Sequence, residues 1–292
     1  MKKVLITGAN SFVGTNFQSF SQYKDVAEIS LFENKPEDIN FGKYDVVLHL
    51  AAIVHQSKKI PESEYFNVNR DLCLRVAEHA KKAGVKQFVF LSTVKVYGEF
   101  VPKFGLCNEN SKCIPDDAYG KSKYEAELGI KKMEDVNFTV SIIRTPIVYG
   151  DGVKANMLRI LKLVEEFPIL PFGKMNNKRS ITYVENLVGF IDQIIEKSAS
   201  GIFIAKDENA ISTTELVNYL SKHLGKKIAL FKLPQIFIRI GAFFIPGIFD
   251  RLYSSLEFDN KKTKKELNYN PPFSTEEGIK IMVISYKKGK KS

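Results

Sequence analysis

The sequence has little cysteine. Its 292 residues contain only Cys73, Cys107 and Cys113, an odd number without C-x-x-C spacing and without an accompanying histidine cluster. Neither a disulfide framework nor a zinc site is supported by this pattern. We expect three reduced thiols and no bound metal.

Long hydrophobic runs are also lacking. The longest apolar segment, Ile240 to Phe249, is interrupted by Gly241, Pro246 and Gly247. It falls well short of the ~20 residues that a spanning helix needs. The apolar stretch at the N-terminus is too short for a signal peptide and is typical of a strand entering a turn. We therefore predict a cytoplasmic protein without a transmembrane helix.

Tryptophan is absent, and acidic residues are outnumbered. The chain has 43 Lys and Arg against 33 Asp and Glu, a formal charge of +10. Such an excess favours anionic partners in general. A nucleic-acid-binding protein would be expected to carry a basic stripe interleaved with exposed aromatics or a known binding module, and neither is recognisable. We therefore expect an anionic small molecule or surface as partner, and no nucleic acid.

The first half of the chain alternates short apolar runs with helical patterns. The apolar runs lack polar alternation, as in parallel strands that are covered on both faces. The predicted strands are Val4 to Thr7, Glu28 to Phe32, Val46 to Leu50, Phe88 to Ser92 and Thr139 to Arg144. One predicted helix, Asn67 to Ala83, ends at Gly84. The brief stretch from Glu33 to Tyr44 indicates that one crossover is shortened.

This alternation predicts an α/β fold, a Rossmann-like doubly wound parallel sheet with a smaller, helix-rich C-terminal substrate lobe. We expect a dinucleotide-binding domain over residues 1–168 and a substrate lobe over residues 169–292. A helix near residues 183–197 is expected to pack back onto the first domain. Ligands of such sheets bind at the carboxyl edge of the strands.

The segment from Val4 to Gly14 reads as a strand, a tight turn and the start of a helix. Gly8 can take the backbone angles of the turn, and Gly14 allows close packing of helix on strand. Amide groups at the helix start can then bind a pyrophosphate. The turn predicts a dinucleotide site that includes Gly8, Asn10, Ser11, Phe12, Val13 and Gly14.

Glu33, at the end of the second predicted strand, and Lys35 nearby both bear on the choice of cofactor. Glu33 is placed to accept hydrogen bonds from the adenosine ribose, which favours NAD. Lys35 could instead contact a 2′-phosphate, so NADP stays open.

Tyr119 and Lys123 are one helical turn apart, on the same face of a predicted helix. An ammonium near a phenol favours the phenolate and lowers the phenol pKa, which would let Tyr119 transfer a proton near neutrality. The fourth predicted strand delivers the hydroxyl of Thr93, or of Ser92, to the sheet edge shortly before this pair. Such a hydroxyl can bind the reacting oxygen, although it could also simply cap the strand end.

Several ordered motifs together resemble the extended short-chain dehydrogenases/reductases, and within them the nucleotide-sugar epimerases and 4-reductases. The motifs are the Thr7-Gly8 turn, Leu50-Ala51-Ala52, Ser92-Thr93 with Val96-Tyr97-Gly98, Tyr119-x-x-x-Lys123, Arg144 to Gly150, Lys178 to Val184 and Lys265 to Tyr269. They extend over nearly the whole chain.

The resemblance implies roles for individual residues. Thr93, Tyr119 and Lys123 would be catalytic, and Lys123 would also hold the nicotinamide ribose. Further cofactor contacts would come from Leu50, Ala51, Ala52, Asn67, Leu91, Ser92, Thr145 and Pro146. Thr93, Lys95, Asn156 and Arg179 would bind the nucleotide-diphosphate sugar, and a homodimer is common in the family. Arg179 suits a diphosphate because a guanidinium can contact it with two donors.

The sequence departs from the family pattern at two positions. Ser11 stands where a glycine is usual in the turn, and its hydroxymethyl could crowd the pyrophosphate or donate a hydrogen bond to it. Thr93 stands where serine is common but keeps the hydroxyl. The implied reaction is C4 epimerisation or 4-ketosugar reduction of a nucleotide sugar in surface polysaccharide synthesis.

Two other functions share parts of this sequence. A non-catalytic dinucleotide sensor would have the turn but would not need Tyr119 and Lys123. A membrane-surface reductase acting on a polyprenyl-diphosphate sugar would use the apolar segment from Leu233 to Leu252, flanked by Lys232, Arg239 and Arg251. The segment could equally pack over the substrate lobe or in a dimer interface.

Overall fold

The computed structural model of the chain describes residues 2–54, 60–98, 106–234, 236–237 and 252–290. Most of the apolar segment from Leu233 to Leu252 therefore lies outside the described residues. Within the described ranges, no helix combines the length and the apolar character needed to cross a bilayer.

The centre of the fold is a six-stranded parallel sheet of strand order β2-β1-β3-β4-β5-β9. The strands of the described chain are β1 (Val4–Thr7), β2 (Val26–Ile29), β3 (Val46–His49), β4 (Gln87–Thr93), β5 (Thr139–Thr145), β6 (Ile147–Tyr149), β7 (Ile169–Leu170), β8 (Ile181–Tyr183), β9 (Gly201–Ile204) and β10 (Ala229–Leu230). Two short parallel pairs, β6 with β8 and β7 with β10, lie outside this sheet.

Helices connect the strands and cover the sheet. They are α1 (Phe12–Phe20), α2 (Glu62–Phe66), α3 (Cys73–Lys82), α4 (Ala118–Lys131), α5 (Ala155–Glu166), α6 (Val184–Lys197), α7 (Thr213–Leu224), α8 (Lys261–Leu267) and α9 (Thr275–Gly289). A π-helical stretch, Asn67–Leu72, joins α2 to α3. The helix predicted from Asn67 to Ala83 therefore begins five residues earlier, at Glu62.

Four predicted strands agree with the structure to within one residue at each end, and the second is displaced. Strand β2 covers Val26–Ile29 instead of the predicted Glu28 to Phe32. It ends early because the amides of Gly8 and Ala9 both donate to the Ile29 carbonyl, at 3.0 and 3.2 Å, and so close the ladder where β1 ends. The chain then turns away from the sheet.

The shortened crossover is confirmed. The residues between β2 and β3 contain two 3-10 turns, Pro36–Asp38 and Phe41–Lys43, in place of a full α-helix. The sixth strand, β9, was missing from the prediction and pairs with β5 over Gly201–Ile204.

The two faces of the sheet are covered by different helices, as the predicted doubly wound fold requires. Helices α1 and α6 pack on one face, where Phe17 and Ile191 contact the core around Ile6. Helices α3 and α4 cover the other face, with Val76 and Ile130 in that core.

A separate apolar core lies among α5, α7 and α9 and includes Leu161, Leu220 and Val283. Helix α6 and strand β9 come after residue 168 in the chain but belong to the first core: α6 packs on the sheet, and β9 pairs with β5. The domain boundary between residues 168 and 169 stays a prediction.

Candidate active site

The turn from β1 to α1 is closely packed. Gly8 has φ +112°, and a Cβ there would lie 2.7 Å from the Ala51 amide nitrogen. Only glycine fits, because both the backbone angle and the space exclude a side chain. Ser11 is the N-cap of α1, where its Oγ accepts a hydrogen bond from the Gly14 amide at 3.2 Å. Its oxygen therefore caps the helix, and the hydroxyl proton remains as a donor.

A cavity of about 240 Å³ opens beside this turn. It is lined by Gly8, Ala9, Ser11, Ser30, Leu31, Phe32, Leu50, Ala51, Ala52, Val68 and Leu72. Five predicted cofactor residues are thus brought together at the carboxyl edge of the sheet. Small residues, apolar walls and the start of α1 suit the adenosine and pyrophosphate of a dinucleotide.

Glu33 is not part of this cavity. Because β2 ends at Ile29, Glu33 falls in an exposed turn beyond the strand, and Ser30, Leu31 and Phe32 line the cavity in its place. The expected position of Glu33 at the strand end was therefore wrong. Among the residues that the structure describes, the cavity lining contains no carboxylate that would repel a 2′-phosphate.

The other predicted residues of the turn and of the following helix lie in different surroundings. Asn10 is exposed with φ 58°, and Val13 is buried in the core beneath the sheet. Phe12 packs partly buried against both neighbouring cores. Asn67 is exposed, with its amide donating to Glu64 at 3.4 Å.

Thr93, Tyr119 and Lys123 converge at the carboxyl end of β4. Thr93 ends the strand, and its Oγ1 accepts from the Lys95 amide at 3.2 Å. Its hydroxyl also interacts with the Tyr119 hydroxyl, and this interaction acts to lower the Tyr119 pKa. Lys123 lies one turn further along α4, where its ammonium donates to the Leu91 carbonyl of β4 at 2.9 Å. Thr93 therefore both caps the strand end and contacts the phenol.

The ionisation of this group differs from the expectation. Burial raises the pKa of Tyr119 to about 12, partly offset by the Thr93 hydrogen bond, while the charge of Asp117 raises it further. The prediction that Lys123 lowers this pKa was wrong for the structure. The Lys123 ammonium instead lies 4.4 Å from the centre of the Phe90 ring and donates to the Leu91 carbonyl, and its charge is not among the causes that shift the Tyr119 pKa.

Lys123 and His49 share the interior beneath the site. Burial lowers the pKa of Lys123 to about 8. Burial, followed by the charge of Lys123, lowers the pKa of His49 to about 3, so this imidazole is neutral near pH 7. Its Nδ1 lies 2.8 Å from the Thr7 hydroxyl, which fixes the ring at the end of β1.

The remaining predicted residues surround the carboxyl edge. Thr145 pairs with Thr93 across β4 and β5, and Pro146 follows it in a buried position. Lys95 forms an ion pair with Asp117. Asn156 lies in the first turn of α5.

Arg179 lies in the C-terminal part of the chain, where its Nη1 donates to the Ser254 carbonyl at 2.9 Å. Its backbone bridges to Ile211 in both directions. The guanidinium is therefore oriented by Ser254, and the backbone of Arg179 is held by Ile211.

The sequence reasoning missed the residues that hold the site together. Asp117 is the N-cap of α4, and its Oδ1 accepts from the Gly120 amide at 2.6 Å. An aspartate just before a predicted helix is a recognisable capping signal. Asn69 bonds to both backbone groups of Ile53 and to the Ser122 hydroxyl at 3.1 Å, which ties the loop after β3 to α4.

A buried ion pair lies behind Tyr119 and Lys123 of α4. Glu127 of α4 bonds to the Arg144 guanidinium at 2.6 Å and also accepts from Ser92. Tyr97 accepts from Arg144 at 2.8 Å. The side chains of Glu127 and Arg144 are only 2% and 3% exposed. No sequence pattern distinguishes this buried glutamate from a surface one.

Comparisons with known proteins agree with this geometry. The profile of the NAD dependent epimerase/dehydratase family matches residues 4–204. A UDP-glucose 4-epimerase from Vibrio cholerae is 33% identical, over 96% of this chain and 94% of that protein. An N-acetyl-α-D-glucosaminyl-diphospho-ditrans,octacis-undecaprenol 4-epimerase from Escherichia coli O157:H7 is 28% identical, over 82% of this chain and 78% of that protein.

Solved structures share the fold. The crystal structure of a UDP-N-acetylglucosamine 4-epimerase from Bacillus cereus superposes with a TM-score of 0.80 at 19% identity, over 98% of this chain and all of that one. The resemblance drawn from the sequence motifs is confirmed. The chain belongs to the NAD-dependent epimerase/dehydratase family of the extended short-chain dehydrogenases/reductases.

Proposed function

We propose that the protein is an NAD(P)-dependent enzyme that acts at C4 of a nucleotide-activated sugar, as a UDP-hexose or UDP-N-acetylhexosamine 4-epimerase or a UDP-4-keto-6-deoxy-sugar 4-reductase. The observation that carries the proposal is the convergence of Thr93, Tyr119 and Lys123 at the end of β4, where Thr93 ends the strand and Lys123 donates to the Leu91 carbonyl. The relatives named for C4 epimerisation support the choice of carbon.

In the oxidative direction, Tyr119 takes the proton of the C4 hydroxyl while Thr93 holds the reacting oxygen. When bound, the nicotinamide would supply a hydride acceptor and donor for C4, and inversion at C4 would require the ketosugar to present its opposite face. Lys123 is assigned to the nicotinamide ribose, and its ammonium would favour the phenolate if the two groups approach.

We assign the nucleotide diphosphate to Asn156 and Arg179, and the sugar side of the pocket to Lys95. The cavity at Gly8, Ser11 and Ala51 is assigned to the adenosine end of the cofactor. We assign NAD as the cofactor because the family is described as NAD dependent. NADP stays an alternative because the described lining of the cavity has no carboxylate that would repel its 2′-phosphate. A cytoplasmic homodimer serving surface polysaccharide synthesis completes the proposal, and the undecaprenol-linked substrate of one relative supports that pathway.

A retained cofactor distinguishes an epimerase from a reductase. The test is to denature the purified protein and identify the released ligand by absorbance and mass spectrometry. The protein is then incubated with UDP-glucose and with UDP-N-acetylglucosamine, with and without added NAD, and the products are separated by chromatography. We expect a C4 epimer from one of the two, and no epimer from Tyr119→Phe.

Added NADH or NADPH with a UDP-4-keto-6-deoxy sugar tests the reductase. Reduction of the ketosugar without epimer formation would assign the reductase. If neither reaction occurs while NAD binds stoichiometrically, the sensor function replaces the proposal.

A further inference from the structure

Strands β7 and β10 form a two-stranded ribbon on the C-terminal part of the chain. Residues Ile169 and Leu170 pair with Ala229 and Leu230 in parallel register. The Ala229 amide donates to Pro168 at 2.8 Å and the Phe231 amide to Leu170 at 3.1 Å. The ribbon is therefore fixed by backbone bonds on both sides of the pairing.

The ribbon has two apolar faces. Its inner face places Leu170 and Phe172 in the core of the C-terminal lobe, with Leu230 partly buried against it. Successive side chains of a strand point to opposite sides, so the residues between them face outward.

The outward residues are apolar as well. Phe167, Ile169 and Phe231 are 50%, 60% and 47% exposed, and Ala229 is exposed beside them. We call this set, Phe167, Ile169, Ala229 and Phe231, the outer face of the ribbon. Ile236 and Phe237, five and six residues after Phe231, are also exposed. Exposed aromatic and β-branched residues grouped in this way mark a docking surface.

Lysines accompany this apolar surface. Lys226 and Lys227 precede β10, Lys232 follows Phe231, and Lys174 follows β7, all of them exposed. Over residues 165–175 and 226–237 the sequence has these four lysines and two acidic residues, Glu165 and Glu166. Glu165 accepts hydrogen bonds from Tyr286 and Lys290 and also interacts with the charge of Lys226. Apolar side chains bordered by lysines match the chemistry of an anionic lipid surface, where the apolar groups enter the interface and the ammonium groups meet phosphates.

We propose that the outer face of the ribbon docks onto an anionic bilayer surface. The charge complementarity selects this occupant over a second copy of the chain, since two copies meeting through this face would bring the lysines of both together. The docking does not depend on which sugar the enzyme converts.

The experiment is vesicle flotation of the full chain. We expect it to float with vesicles of mixed phosphatidylglycerol and phosphatidylcholine, to float much less with phosphatidylcholine alone, and to be released by salt. The triple variant Phe167→Ser, Ile169→Ser, Phe231→Ser should lower the partition coefficient at least about tenfold. Val136→Ser, which changes an almost fully exposed valine elsewhere, is the matched control and should float like the parent.

A second variant covers the case in which the triple variant fails to fold. Lys226→Gln, Lys227→Gln, Lys232→Gln keeps the apolar residues and should reduce flotation with the anionic vesicles only. Absence of flotation by the parent protein, or flotation that neither variant weakens, overturns the proposal. Sedimentation velocity that finds a dimer lost in the triple variant, with no flotation, assigns the face to a second copy instead. NAD binding, measured in parallel, is unaffected by this outcome and tests the proposed function separately.

Discussion

The sheet half and the C-terminal part of the molecule hold their site residues in different ways. Around β4 and α4 the proposed catalytic residues are fixed by buried contacts: Lys123 is 2% exposed, and the Glu127–Arg144 ion pair lies directly behind. Arg179 is partly exposed and is oriented by the backbone oxygen of Ser254. The comparison predicts that the proposed catalytic residues are held by more buried contacts than Arg179, the proposed contact to the nucleotide diphosphate.

The difference follows from where each residue lies. A group that ends a buried strand or faces the sheet from α4 has neighbours on every side, so its position is determined by the fold. The side chain of Arg179 is partly exposed, so a substitution that keeps its backbone bonds should have a modest effect on stability. Substitutions in the two regions should therefore be separable by what they change.

The largest effect is expected at Tyr119. Tyr119→Phe keeps the ring but removes the group that exchanges the proton, so kcat for C4 oxidation should fall about 10²- to 10⁴-fold. Cofactor binding, measured by titration, should be unchanged. Tyr286→Phe is the control, because Tyr286 and Lys290 repeat the spacing of Tyr119 and Lys123 but contact Glu165 at the edge of the lobe. Equal losses in both variants would contradict the assignment.

Next in size is the buried ion pair. Glu127→Ala leaves the Arg144 guanidinium without its carboxylate in the interior and should lower the free energy of unfolding by about 3–5 kcal/mol. Urea unfolding followed by circular dichroism gives this value. Glu78→Ala, which removes the partner of Lys82 in an exposed pair, should cost less than about 1 kcal/mol. If the two variants lower the free energy of unfolding by similar amounts, the buried Glu127–Arg144 pair does not stabilise the fold more than an exposed pair does.

Arg179→Gln tests whether the partly exposed Arg179 binds the nucleotide sugar. It should raise KM for the nucleotide sugar about tenfold to a hundredfold, since a hydrogen bond to a charged group contributes roughly 1.5–3 kcal/mol. The kcat and the unfolding free energy should stay close to the parent values. Arg159→Gln, on an exposed position of α5 in the same lobe, is the control for general loss of charge. A fall in kcat with unchanged KM would place Arg179 outside substrate binding.

The smallest effect is expected at Asp117. Its negative charge disfavours the Tyr119 phenolate and so raises the pKa. Asp117→Asn removes this charge but keeps an oxygen that can cap α4, so the Tyr119 pKa should fall. The rising limb of the oxidation rate against pH should then move to lower pH, with little change in the maximum. Asp116→Asn should leave the profile in place, and a shift towards higher pH in Asp117→Asn would reverse the assigned sign.

The sequence predicted the sheet well because its strands are buried on both faces. Val46 to Leu50 and Phe88 to Ser92 are apolar runs without alternation, and the structure pairs both in parallel. The shift of β2 could not be predicted, because it depends on Gly8 and Ala9 closing the ladder onto Ile29. Strand β9 was missed because four residues, Gly201–Ile204, give too short a pattern.

The site was predictable in its residue types and less so in its electrostatics. The spacing of Tyr119 and Lys123 locates both on one helix face, but whether the ammonium points to the phenol or to the Leu91 carbonyl depends on the depth of burial. Glu33 was misplaced together with β2. Asn69 and Glu127 hold the site through contacts with Ser122 and Arg144, which lie far from them in the sequence. A single sequence gives no local pattern that predicts such contacts.

Ser11 gives the cofactor turn a property that bears on thermodynamic linkage. Its hydroxyl caps α1 from within the chain, so the Gly14 amide of the first turn has an acceptor without help from a ligand. Dinucleotide binding stabilises the protein by mass action, about 2.7 kcal/mol at a concentration one hundred times Kd. We expect α1 to be helical in both the loaded and the unloaded protein, so that exchanging one cofactor molecule for the next does not require this helix to form again.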